Sequence, residues 1–147
     1  MTGYEISCDP ARLDLDAVHA FLSTEAYWSP GVTREVVERS VEGSIPFGVY
    51  AAGSGELVGF ARVVTDRATF AWIADVYVLS AHRGHGLGKR LVAAIFEHPE
   101  LQGLRRWMLA TADAHGLYRQ FGFDALDAPQ RFMARESGAA ARACAEG

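Results

Sequence analysis

The stretch VYVLSAHRGHGLGKRLV, residues 76–92, decides the fold, because a loop rich in glycine and basic side chains joins an apolar run to an apparent helix. Glycine loses much backbone entropy on folding, so Gly84, Gly86 and Gly88 indicate a backbone that turns sharply or approaches a ligand closely. A helix N-terminus presents unpaired N–H groups and the positive end of the helix dipole. This layout predicts a binding site for a phosphate-bearing ligand at residues 82–90.

Two common phosphate-binding patterns do not fit this loop. The dinucleotide fingerprint G-x-G-x-x-G needs its third glycine one place later than Gly88. The P-loop pattern G-x-x-x-x-G-K-[ST] needs a glycine where Arg83 stands and a hydroxyl where Arg90 stands. The loop therefore belongs to neither of these nucleotide-binding classes.

The rest of the chain predicts an α+β domain with a central mixed sheet of six to seven strands and about four helices on its faces. Helical spacing of apolar residues covers 11–28, 33–43, 88–101 and 112–123. Strand-like runs cover 4–8, 45–52, 56–66, 68–79, 107–111 and 131–135. Asp14 or Asp16 is expected to cap the first helix, and the second is expected to have Val36, Val37, Ser40 and Val41 on one face.

Composition limits the classes of protein to which the chain can belong. Half of the 147 residues are hydrophobic and 22% are charged, which is typical of a soluble globular protein. We expect one domain over residues 1–136, followed by a flexible tail over 137–147. The net charge of −4 argues against a nucleic-acid partner, although basic residues cluster at 82–90.

The sequence also gives an expected location. Cys8 and Cys144 form neither a zinc-binding spacing nor a disulfide framework, which favours a reducing compartment and no metal. The N-terminal residues lack the pattern of a secretory signal, and no apolar run has membrane-spanning length. We therefore predict a cytoplasmic protein without a membrane partner.

Two motifs resemble those of the GCN5-related N-acetyltransferase (GNAT) superfamily. Residues 83–88, RGHGLG, match its acetyl-CoA signature R/Q-x-x-G-x-G/A. Residues 114–123, AHGLYRQFGF, are similar to its second hallmark, a helix that carries A-x-x-x-Y and ends in GF. The motifs lie in the family's order, and the element order over residues 4–135 is also the family's. The resemblance implies an acyl-CoA N-acyltransferase fold with a sheet splayed in its middle, and acetyl-CoA as the co-substrate.

The resemblance also implies the residues that bind the cofactor. The strand before the loop would expose backbone groups to the pantetheine arm, and the loop would hold the pyrophosphate mostly through N–H groups. Thr111 stands where the family often has an asparagine that contacts the pantetheine, and its shorter side chain can still form a hydrogen bond. The cofactor-binding set is Val76, Tyr77, Val78, Arg83, Gly84, His85, Gly86, Leu87, Gly88, Lys89 and Thr111.

The implied reaction transfers an acetyl group to an amine, and it needs a proton acceptor and a proton donor. Asp75 stands where many family members have an acidic residue, and it is the candidate general base, directly or through water. A carboxyl between apolar neighbours on a buried strand should have a raised pKa unless it is paired. The alternative is that Asp75 is a structural hydrogen-bond acceptor. Tyr118 occupies the position of the family tyrosine that can protonate the leaving thiolate, or it is a core tyrosine.

The acceptor is the least determined part of the prediction. In the family the acceptor pocket is built largely by the two early helices and their loop, where Tyr27 and Trp28 are adjacent aromatics. They could wall an amine site by cation–π contact or simply cover the core. A small-molecule amine is the favoured acceptor. A protein or peptide amine, a longer acyl donor, a non-catalytic acyl-CoA sensor and a homodimer all stay open.

Overall fold

A mixed sheet of five strands organises the computed structural model, which describes residues 3–136. The strands are β1 (Tyr4–Ser7), β2 (Ile45–Ala51), β3 (Leu57–Thr65), β4 (Phe70–Val78) and β5 (Arg106–Met108). They lie in sequence order, antiparallel from β1 to β4, and β5 joins β4 in parallel. The helices are α1 (Leu15–Thr24), α2 (Arg34–Glu42), α3 (Leu87–Glu97) and α4 (His115–Arg119).

The chain divides into two compact units, residues 1–113 and the residues from Ala114 onward. The sheet, α1, α2 and α3 belong to the first unit, and α4 belongs to the second. The expected tail at 137–147 lies outside the described residues. None of the helices formed by residues 3–136 has the length and apolarity needed to cross a lipid bilayer.

Helices cover both faces of the sheet in the first unit. On one face, α1 and α2 bury Val18, Phe21 and Val37 against Phe60 and Tyr77 of the sheet. α3 packs against β2, β3 and β4, and its buried side chains are Leu87, Leu91, Val92 and Ile95. Full burial of a leucine or isoleucine contributes about 1.5–3 kcal/mol, so these contacts fix where α3 begins.

The helix boundaries follow from local capping. The Asp14 side chain accepts a hydrogen bond from the Ala17 N–H at the start of α1, as the sequence predicts. Thr33 caps α2 in the same way. The predicted helix over 88–101 ends instead at Glu97, because Pro99 cannot continue it and a 3-10 turn follows.

Further predictions about the elements are wrong. The sheet has five strands among the described residues, not six to seven, because residues 131–135 form no strand. The Met133 side chain is 99% exposed, so it contributes no burial that would hold another strand. Val36 is exposed and not part of the buried face of α2, where Val37 and Val41 lie. The predicted helix over 112–123 is α4 followed by a turn at Gly122.

Candidate functional site

Strands β4 and β5 part after three paired positions. Their pairing ends at Trp72 opposite Met108, whereas β4 continues to Val78. The last part of β4, which contains Val76, Tyr77 and Val78, therefore has β3 on one side and no β5 partner on the other. This is the splayed sheet that the family resemblance implies, and it leaves strand-edge backbone groups available to an extended ligand.

The loop after β4 leads directly into α3. Gly84 has φ +86° and Gly86 has φ +71°, in the left-handed region that favours glycine. Gly86 is the N-cap of α3 and provides no side-chain cap. A Cβ built on either glycine would meet no atom within 4 Å, so the space beside this backbone is open.

The N–H groups of residues 84–89, which we call the amide loop, are free to bind an anion. None of them donates a hydrogen bond to any residue among 3–136. Lys89 and Arg90 add positive charge in the first turn of α3. The residues present therefore fit a diphosphate, which the amide loop could hold mainly through its backbone.

Side chains around the amide loop hold it in place. Arg83 Nε donates to the Val78 carbonyl oxygen at 3.0 Å, so this arginine braces the loop against β4. Tyr4 Oη and His82 Nδ1 form a hydrogen bond of 2.9 Å. The His85 ring lies 5.6 Å from the Tyr4 ring, and Arg90 donates to the Tyr4 carbonyl oxygen. The first strand of the chain thereby supports the loop.

Asp75 lies in a β-bulge. Phe60 pairs with Tyr77 and Arg62 pairs with Ala74, so Asp75 and Val76 together lie opposite Ala61. Asp75 has φ +56°, a left-handed conformation that costs a non-glycine residue about 1–3 kcal/mol. The bulge turns the Asp75 carboxylate into a partly buried cluster of side chains.

That cluster, which we call the Arg62 network, consists of Trp28, Asp75, Arg62 and Ser44. Arg62 Nε donates to Asp75 Oδ2 at 2.6 Å, and the two side chains are only 19% and 13% exposed. Trp28 Nε1 donates to Asp75 Oδ1 at 2.8 Å. Arg62 Nη1 donates to Ser44 Oγ at 3.1 Å, which donates in turn to the Ser40 carbonyl oxygen. The Asp75 carboxylate is therefore paired with the Arg62 guanidinium.

The loop between α1 and α2 is attached to both sides of the strand gap. Trp28 is bonded to Asp75 of β4, and the Tyr27 hydroxyl accepts a hydrogen bond from the Ala112 N–H beyond β5. The two rings stand edge to face with centroids 5.0 Å apart. Tyr27 is 60% exposed and Trp28 is 42% exposed, so this aromatic pair does not serve as core. The pair presents exposed ring surface where the strands diverge.

The remaining predicted residues lie on or after β5. Thr111 follows β5, and its Oγ1 accepts a long hydrogen bond of 3.4 Å from the Asp113 N–H. Tyr118 lies in the second unit on α4, is buried, and its ring contacts the Phe123 ring edge to face at 5.8 Å. All predicted residues except Tyr118 thus belong to the first unit.

Sequence reasoning missed Arg62 and Ser44. A signal for Arg62 was present, because it is a charged residue in an otherwise apolar strand, and Asp75 is the opposite charge in the next strand. Burying an unpaired charge costs free energy, so opposite charges in adjacent buried strands are expected to form an ion pair. No signal pointed to Ser44, whose role depends on where the end of α2 meets β3.

Comparisons with known proteins agree with this architecture. The model of the acetyltransferase (GNAT) family matches residues 15–123. A curated Gibberella zeae protein named "Putative acetyltransferase FG08082" is 35% identical, and the match covers 78% of this chain and 75% of that protein.

Solved structures extend the comparison. A GNAT-family structure from Xanthomonas campestris pv. campestris, described as a putative acetyltransferase, has a TM-score of 0.89 at 43% identity, covering 92% of this chain and 94% of that one. Glucosamine-6-phosphate N-acetyltransferase from Arabidopsis thaliana has a TM-score of 0.66 at 18% identity, covering 92% and 99%, and shares the fold. The chain described here belongs to the GNAT family of acetyltransferases.

Proposed function

We propose that the protein is an acetyl-CoA-dependent N-acetyltransferase that acts on a primary amine of a small molecule. The observation that carries this proposal is the amide loop, whose six N–H groups have no acceptor among the described residues and which begins α3 beside a parted strand. The family to which the chain belongs generally uses acetyl-CoA. Acetyl-CoA supplies an acyl thioester, whose carbonyl carbon is electrophilic.

The amide loop and the free edge of β4 each bind one part of acetyl-CoA. Residues Arg83 to Lys89 bind the pyrophosphate through N–H groups and positive charge. The backbone of Val76, Tyr77 and Val78 binds the pantetheine arm as an added strand would, with Thr111 supplying a hydroxyl. Because strand-edge N–H groups are fixed in place, they can also stabilise the oxyanion that develops on the thioester carbonyl.

The transfer needs a neutral amine, since an ammonium has no free electron pair. The amine nitrogen attacks the carbonyl carbon, the C–N bond forms, the C–S bond breaks, and the nitrogen gives up one proton. Asp75 is the candidate acceptor of that proton, directly or through water, because two hydrogen bonds leave lone pairs on its two oxygens. Tyr118 is the candidate donor of a proton to the departing thiolate.

The aromatic pair Tyr27 and Trp28 forms one wall of the acceptor site in this proposal. Exposed aromatic faces attract cationic amines, and both rings are tied across the gap in which the thioester would lie. In the alternative reading of Asp75, its carboxylate only positions Trp28. A cytoplasmic location, a homodimer and the absence of nucleic-acid and membrane partners stay predictions from the sequence.

Titration calorimetry with acetyl-CoA, followed by release of free CoA with a panel of amines, tests the function. We expect binding, and amine-dependent release with at least one small amine. Tyr118→Phe should lower kcat at least about tenfold with little change in acetyl-CoA affinity, because only proton transfer is lost. Binding without any amine-dependent release would instead support the acyl-CoA sensor. No affinity for any CoA species would overturn the proposal.

A further inference from the structure

A cavity of about 320 Å³ lies between α1 and the sheet, against the end of β2, the turn before β3 and the end of β4. We call it the α1 cavity. It lies on the face that α1 and α2 cover, whereas α3 and its amide loop pack on the other side of the strands. Tyr27 and Trp28, the aromatic pair predicted to wall the acceptor site, do not line it.

The walls of the α1 cavity are aromatic. The rings of Phe21 and Tyr77 are stacked with centroids 3.8 Å apart, and Tyr50 forms another wall. The Arg12 guanidinium lies 4.1 Å from the centre of the Tyr50 ring and forms an ion pair with Glu5 at 3.1 Å. The positive charge of Arg12 is therefore already matched by Glu5.

Three carboxylates line the same cavity, those of Asp14, Glu25 and Glu56. Asp14 caps α1, but the carboxylates of Glu25 and Glu56 have no hydrogen bond or ion pair with any residue that the structure describes. Glu25 is moreover the C-cap of α1, where the negative end of the helix dipole disfavours an acidic side chain. Its position therefore does not stabilise the helix, and its exposed carboxylate is available to a cation.

The Tyr77 hydroxyl is a second and independent feature of the cavity. Tyr77 is only 6% exposed, yet its hydroxyl forms no hydrogen bond with any residue among 3–136. Burial raises the pKa of this phenol, and the charges of Asp14 and Glu25 raise it further. The hydroxyl therefore faces the negative potential of the cavity, where it is open to a ligand that donates a hydrogen bond.

We propose that the α1 cavity binds the non-reacting ammonium group of an aliphatic diamine, and that such a diamine is the acceptor. Glu25 and Glu56 act as its counter-ions, the Tyr77 hydroxyl accepts a hydrogen bond from it, and the aromatic walls contact its methylene groups. This inference rests on the proposed N-acetyltransferase function, because it names the class of substrate of the same site.

The chemistry of the transfer explains why a second amine is needed. Carboxylates stabilise an ammonium, and an ammonium cannot attack a thioester. The group held by Glu25 and Glu56 is therefore not the nucleophile, which must be a neutral amine elsewhere on the same molecule. Tyr77 belongs to the segment of β4 proposed to bind the pantetheine arm, so one strand links the two sites.

The test compares 1,4-diaminobutane with pentylamine, in which a methyl group replaces one amine. We expect kcat/KM to be at least about tenfold higher for the diamine, as the loss of one charge-assisted contact implies. The double variant Glu25→Gln/Glu56→Gln should lower kcat/KM for the diamine about tenfold and leave pentylamine within about twofold. The control Glu42→Gln/Glu97→Gln removes two exposed charges from α2 and α3 and should change neither.

A binding measurement separates this inference from the proposed function. Without any CoA compound, 1,4-diaminobutane should shift the NMR signals of the Tyr77 ring, and the double variant should weaken that binding. If the protein transfers no acetyl group but shows this shift, the function is wrong and the cation site stands. Equal kcat/KM for the two amines, or an equal loss for both in the double variant, overturns the inference. The inference is also overturned if the protein transfers no acetyl group and 1,4-diaminobutane does not shift the Tyr77 signals.

Discussion

The amide loop and the Arg62 network, the two regions of the proposed site, are built by opposite means. The amide loop is local: six consecutive residues supply backbone N–H groups, and glycines supply the conformation. The Arg62 network is non-local: Trp28, Ser44, Arg62 and Asp75 come from four separate segments and meet through side chains. A backbone site tolerates changes of side chain but not of backbone conformation, whereas a side-chain network has the reverse sensitivity.

This difference matches the tasks proposed for the two regions. A diphosphate is the same in every acyl-CoA, so a fixed backbone cradle is sufficient to bind it. Acceptor amines vary in shape and charge, and side chains on a loop can change without disturbing the sheet. In this chain the variable side is held by an ion pair that is mostly removed from water. Its loss should therefore have the largest effect on the stability of the protein.

Arg62→Met breaks the network at its centre. It leaves the Asp75 carboxylate, with only 13% of its side chain exposed, without a counter-ion. We expect the free energy of unfolding to fall by about 3 kcal/mol, measured by urea denaturation, because an unpaired and poorly solvated charge remains. Adding Asp75→Asn should recover part of this loss, since the amide carries no charge to compensate.

The control for this change is Arg39→Met. Arg39 is exposed, and it lies 4.0 Å from Glu35 in a surface ion pair. Removing it should change the free energy of unfolding by less than about 1 kcal/mol. An Arg62→Met protein that is no less stable than the Arg39→Met protein would show that the network contributes nothing beyond a surface pair.

Gly86→Ala tests the backbone side of the comparison. Alanine at φ +71° is strained by about 1–2 kcal/mol, and relief of that strain changes the backbone conformation that positions the N–H groups of the amide loop. We expect the Kd of acetyl-CoA to rise about tenfold in titration calorimetry, which corresponds to about 1.4 kcal/mol.

Gly103→Ala is the matched control for Gly86→Ala. Gly103 has φ +72° and open space around its would-be Cβ, but it lies in the turn before β5. Both variants should lose similar stability, and only Gly86→Ala should lose affinity for acetyl-CoA. Equal affinity in the two variants would mean that the amide loop does not hold the cofactor.

The local part of the site could be predicted from the sequence, and the non-local part could not. Gly84, Gly86 and the start of α3 follow from glycine spacing and apolar periodicity, both of which act over a few residues. The parting of β4 from β5 was expected only through the family resemblance, because nothing in the apolar run marks where pairing ends at Trp72.

The bulge at Asp75 shows why the rest could not be predicted. Alternation along a strand assigns each side chain to a face, but one extra residue reverses that assignment for everything after it. The bulge is visible only in the pairing of Arg62 with Ala74 and of Phe60 with Tyr77. The absent strand at 131–135 has a related cause, since a strand needs a neighbouring edge that its own residues do not specify.

Tyr50→Phe gives the smallest predicted effect and tests the wall of the α1 cavity. The Tyr50 hydroxyl is buried and has no hydrogen-bond partner among the described residues. Removing an unsatisfied hydroxyl should raise the free energy of unfolding by about 1 kcal/mol at neutral pH, measured by urea denaturation. The control Tyr27→Phe removes a hydroxyl that accepts a bond from Ala112, so the stability of that variant should not rise.

The pH dependence of the Tyr50→Phe effect sharpens the test. Burial raises the pKa of the Tyr50 phenol in the folded protein above its unfolded value of 10.0. As the pH rises past 10.0, the unfolded chain releases this proton while the folded protein retains it, so the wild type loses stability. The phenylalanine variant lacks this loss, and its advantage should widen with rising pH. If the stability advantage of Tyr50→Phe stays constant or shrinks as the pH rises, water already reaches the Tyr50 hydroxyl in the folded protein. The wall of the α1 cavity would then be open at Tyr50.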